Sequence, residues 1–95
     1  MELRDFRKKL DSLDEELVEI ISKRMDVCAK IAEFKLQKNI SIRDPEREDE
    51  LIKDRYEKLK SKGIDDEKFV SDLFNLVLSK SRQVQNEKMR AISGN

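Results

Sequence analysis

The sequence predicts an all-α protein with three helices per chain, the N-terminal one long. Three observations carry this: a sustained apolar heptad, a scarcity of turn residues and a bias towards helix formers. Apolar side chains recur at Leu3, Phe6, Leu10, Leu13, Leu17, Ile20, Val27, Ile31 and Phe34, the a and d stripe of one helix. With 2 Gly and 1 Pro in 95 residues, the chain lacks the turns that a set of short strands needs. Leu, Glu, Lys, Arg, Gln and Met favour helix.

The first helix is expected over about 2–38, with Asn39 as its C-terminal cap. The second, 45–62, begins at Asp44-Pro45-Glu46: an N-cap, a first-turn proline and a carboxylate at the positive end of the dipole. Leu51, Ile52, Tyr56 and Leu59 form its apolar face, and Gly63 ends it. The third, 66–90, is expected to start at Asp65 as N-cap, with Ile64 and Phe69 at the spacing of a hydrophobic staple. Its stripe of Val70, Leu73, Phe74 and Val77 continues into Ser81, Val84 and Gln85, and the tail from Lys88 is expected to fray. One domain, 1–95, accounts for the chain.

Composition excludes several functions. Hydrophobic residues make up 37% and charged residues 44%, so the core is modest. Lys+Arg and Asp+Glu are both 21, which disfavours nucleic acid as a partner. No apolar run spans a membrane, and Met1-Glu2-Leu3-Arg4-Asp5 does not resemble a signal peptide, so the expected compartment is cytoplasmic. Cys28 is the sole cysteine, read as a small, partly apolar residue. The absence of His removes the commonest base and metal ligand. An enzyme built this way relies on carboxylates, Lys, Arg and hydrogen bonds, with no cofactor and no metal expected.

The first helix also predicts a homodimer. At 1.5 Å per residue it is roughly 55 Å long, against a diameter of roughly 32 Å for a compact chain of this size. Two shorter helices cannot cover its seam, and a second copy about a twofold axis is the economical cover.

Several polar residues stand where apolar ones are expected. Arg24 takes an a position in the seam, as a register device, a snorkelling cation or a functional group. Lys35, eleven residues on, faces the same side within about 20° and lies roughly 16 Å along the axis. Arg7 and Lys35 share position e but lie roughly 42 Å apart in one chain. In an antiparallel pair centred near Ile21, an assumed register, Arg7 of one chain approaches Lys35 of the other, and an anion between them relieves the repulsion. Glu48 shares the face of Leu51 and Ile52, with Arg47 on its shoulder; each alone reads better as a solvated charge than as a site residue. Ser81 and Gln85 either line a site or mark where the third helix emerges into water. Together these residues describe a pocket for a small dianion bearing a hydroxyl, without nucleophile or metal cluster. The ligand stays unnamed on these grounds.

Over nearly its whole length the sequence resembles the all-helical, AroQ-type chorismate mutases. The resemblance rests on Arg7-Lys8-Lys9-Leu10-Asp11-Ser12-Leu13-Asp14, Lys23-Arg24-Met25, Lys35, Arg43-Asp44-Pro45-Glu46-Arg47-Glu48, and Ser81 with Gln85, in order and at the family's spacing. It implies an intertwined homodimer that isomerises chorismate to prephenate on the shikimate route to phenylalanine and tyrosine. It further implies that Arg24 and the partner chain's Arg7 each grip a substrate carboxylate. Lys35 and Gln85 donate to the ether oxygen, and Glu48 with the backbone near Asp44 holds the ring hydroxyl. Arg47 and Ser81 complete the carboxylate contacts. A concerted pericyclic shift needs no base, which suits a chain without His. Two rivals remain at this stage: an isochorismate-pyruvate lyase of the same fold, whose members tend to lack the carboxylate at Glu48, and a non-enzymatic helical dimerisation module, which predicts that Arg24→Leu is tolerated.

Overall fold

The computed structural model describes residues 1–94. Its helices are α1 (Leu3–Lys38), α2 (Pro45–Ser61) and α3 (Glu67–Ser93), and no strand occurs among the described residues.

Local chemistry sets the helix ends. The Asp5 carboxylate accepts the Glu2 N–H at 2.9 Å, closing the first turn of α1. Asn39 ends α1 in the left-handed region, φ 56°, and the next N–H, of Ile40, reaches back to the Lys35 carbonyl at 2.8 Å. Asp44 caps α2 by accepting the Arg47 N–H at 3.1 Å, with Pro45 next to it. Gly63, φ +93°, stops α2 while the Ile64 N–H bonds the Leu59 carbonyl at 2.9 Å. A Cβ on Gly63 meets nothing within 4 Å, so the requirement for glycine is conformational rather than steric.

One cap differs from the sequence expectation. The N-cap of α3 is Asp66, whose carboxylate accepts the Phe69 N–H at 3.0 Å. Asp65 instead accepts the Tyr56 hydroxyl at 2.6 Å, tying the turn to α2. Two adjacent aspartates offer the same capping chemistry, and the tyrosine claims the first. The shift moves Phe69 to the third helical position and Val70 to the fourth, so the Ile64–Phe69 staple falls out of register. Both side chains are exposed, whereas Val70 is fully buried. At its other end α3 stays helical to Ser93.

Helix α3 is the common neighbour on which α1 and α2 both pack. The core is small: Cys28 and Ala32 of α1, Leu51 of α2, Val70 and Leu78 of α3. Cys28 and Ala32 are one turn apart, and the fully buried Ala32 lets the two helix backbones approach closely.

The heptad seam of α1 does not face this core. Leu10, Leu13 and Leu17 are 58%, 57% and 54% exposed, and no residue before Cys28 is buried. The intrachain contact runs through the flank of the helix, leaving the a/d stripe open. The chain is elongated, 55 × 26 × 15 Å, with a radius of gyration of 16.8 Å against about 12 Å for a compact chain of this length.

Candidate active site

The cavity where the lower half of α1 meets α2 and α3 has a volume of about 490 Å³. Arg24 and Lys35 reach it from α1, Asp44, Arg47 and Glu48 from the start of α2, and Ser81 and Gln85 from α3. These are all the candidate residues of the sequence except Arg7. Arg7 is exposed, in the upper half of α1, and is not part of the wall.

Each side chain has a definable support. The Arg24 guanidinium donates to Ser81 Oγ at 2.7 Å and lies 3.8 Å from Cys28 Sγ. Ser81 in turn donates to the Val77 carbonyl at 2.8 Å, one turn back on α3. Arg24 therefore turns away from the seam stripe and is held against α3. Lys35 donates to the Ile42 carbonyl at 3.2 Å, which places its ammonium at the α1–α2 connection. Asp44 is committed to α2: its carboxylate caps Arg47 and its carbonyl accepts the Glu48 N–H at 3.1 Å.

Ser81 and Gln85 are 4% and 7% exposed, so α3 does not emerge into water there. Gln85 Oε1 is buried without a hydrogen-bond partner. An unmet buried acceptor costs about 1–3 kcal/mol. That oxygen is an acceptor which no group of the described chain engages, beside the cavity.

Two features of the wall escaped the sequence reading. Arg82 donates to Glu48 Oε1 at 2.6 Å, with only 27% and 16% of the two side chains exposed. Glu48 is therefore not a solvated charge. A second guanidinium, Arg43, lies 3.9 Å from the same oxygen. The signal for Arg82 was present in its place beside Ser81, but its own helical position put it among the solvent-facing charges. Cys28, read only as a filler, lies at the wall next to Arg24.

The wall carries four cations, Arg24, Lys35, Arg47 and Arg82, against two carboxylates, Asp44 and Glu48. An excess of two positive charges in a partly enclosed site suits a small dianion. Fold and site thus define a class: an all-helical protein with a cationic, hydrogen-bonding cavity of a size and charge that suit a small anion.

Comparison with known proteins narrows the class. Residues 6–86 match the family described as chorismate mutase type II. The chain is 33% identical to a chorismate mutase of Methanocaldococcus jannaschii over 90% of this chain and 85% of that protein. It is 28% identical to a 4-amino-4-deoxychorismate mutase of Streptomyces venezuelae, over 90% and 82% respectively. It is also 28% identical to a T-protein of Enterobacter agglomerans, covering 92% of this chain but 23% of that longer protein. The chain belongs to the type II chorismate mutases, a family of isomerases.

Proposed function

We propose that the chain isomerises chorismate to prephenate in aromatic amino-acid biosynthesis, as a homodimer in which each site borrows Arg7 from the partner. Family membership supports the mutase over the lyase and over a non-enzymatic module. The observation that carries the reading is the convergence of Arg24, Lys35, Glu48, Ser81 and Gln85, from three helices, on one cavity.

The rearrangement breaks an ether C–O bond while a C–C bond forms, and negative charge grows on the ether oxygen. Lys35 and the Gln85 amide donate to that oxygen, where charge appears only in the transition state. Arg24, braced by Ser81, grips one carboxylate and Arg7 of the second chain the other, folding the side chain over the ring. Arg47 and Ser81 add carboxylate contacts. Glu48 accepts the proton of the ring hydroxyl, and the backbone near Asp44 helps to hold that group. No proton is exchanged, so a wall without His suffices.

The pairing is supported by what the single chain leaves bare. Its accessible surface is 7569 Å², against about 5,700 Å² for a compact monomer of this mass. The excess, roughly 1,900 Å² per chain, is of the size that obligate dimers bury. The exposed a/d stripe of α1 contributes apolar surface to it. No helix of the described residues is long and apolar enough to cross a membrane, and we place the enzyme in the cytoplasm.

The direct test follows chorismate loss and prephenate formation, with isochorismate and pyruvate release in parallel. Prephenate without pyruvate is expected. Pyruvate release as the dominant activity refutes the assignment.

A further inference from the structure

We propose that Arg82 is a positioning and specificity residue: by occupying Glu48 Oε1 it makes the ring subsite select a neutral hydroxyl over an amine. The inference rests on the mutase reading and on the place of Glu48 in it.

Both guanidinium contacts of Glu48 fall on one oxygen, Arg82 at 2.6 Å and Arg43 at 3.9 Å. A carboxylate has acceptor capacity on both oxygens, so Oε2 remains for a donor on the substrate. The short charge-assisted bond spans α2 and α3 and holds that oxygen from the side of α3. Arg43 is 59% exposed, so solvent screens it, whereas Arg82 is 27% exposed and is the principal counter-charge.

This arrangement separates two otherwise similar ligands. A hydroxyl needs only an oriented acceptor, and Glu48 provides one. A primary amine at the same ring position enters as an ammonium. It meets a carboxylate whose charge is already neutralised, in a wall that also carries Arg24, Lys35 and Arg47. The attraction that a free carboxylate offers an ammonium is cancelled by the guanidinium behind it. Such an amine distinguishes 4-amino-4-deoxychorismate, the compound named for the Streptomyces venezuelae relative, from chorismate.

The test measures kcat and KM of the full chain for both compounds in the wild type, Arg82→Gln, Arg82→Lys and Glu48→Gln. Wild type is expected to favour chorismate. Arg82→Gln is expected to lower kcat/KM for chorismate about tenfold, mainly through KM, while the amino compound holds or gains, so that selectivity falls at least about tenfold. Arg82→Lys is expected to restore most of the selectivity. Glu48→Gln keeps the cations and removes the carboxylate, and is expected to penalise the amino compound more than chorismate. If Arg82→Gln does not fold, Arg82→Met, which keeps the aliphatic stem and removes the charge, is read by the same criterion. Equal loss for both compounds in Arg82→Gln and Glu48→Gln overturns the inference, because a purely structural role, or direct contact of Arg82 with a carboxylate common to both, moves them together. Wild type inactive on both compounds overturns the mutase reading and this inference with it. Wild type that converts chorismate while selectivity is unmoved overturns this inference alone.

Discussion

The two halves of α1 are continuous in backbone and opposite in environment. From Leu3 to Ile21 the helix has no buried residue, and its leucines stand open. From Arg24 to Lys38 the same helix buries Cys28 and Ala32 against α3 and presents Arg24 and Lys35 to a cavity. The apolar heptad runs through both halves, interrupted at Arg24. The difference is one of partners: the second half packs its flank on α3, and the first half buries no residue against another helix of the chain. An apolar stripe read from sequence thus establishes that a surface wants cover, without saying whose surface supplies it.

Several experiments test that division, beginning with the covered half. Lys35→Ala and Gln85→Ala are expected to lower kcat by about 10²–10³ each, the loss typical of a donor at a developing charge, with unfolding midpoints little changed. Steady-state turnover beside urea denaturation checks this, and near-normal turnover in either variant removes the mechanism. For the open half, Arg7→Ala and Arg24→Ala are each expected to be nearly inactive alone. Unfolded together and refolded as a mixture, they are expected to recover about a quarter of wild-type activity, because half the dimers are mixed and each has one intact site. A mixture as inactive as its components shows that Arg7 does not cross the subunit boundary. Leu13→Glu places a charge in the open seam and is expected to cost at least about tenfold in activity at low protein concentration while keeping its helicity. Sedimentation or size-exclusion measurements are expected to show its dissociation, and a variant as associated as wild type places the interface elsewhere.

Smaller effects come from inside the chain. Val70→Ala, at the largest fully buried side chain, is expected to lower stability by about 2 kcal/mol, which equilibrium denaturation measures. The smallest concerns Tyr56, the sole tyrosine in a chain without tryptophan. Its hydrogen bond to Asp65 pushes the phenol up to about 12. Ultraviolet titration is expected to find that value, and Asp65→Asn to return it towards the ordinary range near about 10. Because the folded pKa is raised, the linked stability is complete below about pH 10 and lost as pH climbs through about 12. A midpoint near 10 in the parent chain shows that the bond does not persist in solution.

How much was legible in the sequence follows from the range of each signal. Asp44-Pro45, Asn39 and Gly63 declare helix ends through bonds three to five residues long, and the structure ends α1 and starts and ends α2 there. Asp65 and Asp66 are chemically equivalent over that range. The choice between them was made by Tyr56, on another helix, and no local rule contains it. The candidate site shows the same limit. Ser81 and Gln85 stood out as polar residues on an apolar stripe, and both are buried at the cavity. Arg82 did not stand out, because a charged residue between solvent-facing neighbours is ordinary until the partner 34 residues away is known.

The bare upper half of α1 also has a kinetic meaning. Under the proposed pairing a lone chain carries every group of the site but one, and the missing guanidinium arrives only by collision with another chain. Specific activity then depends on the enzyme's own concentration. It falls on dilution below the dissociation constant of the pair, returns on concentration, and lags after a sudden change by the time that second-order assembly takes.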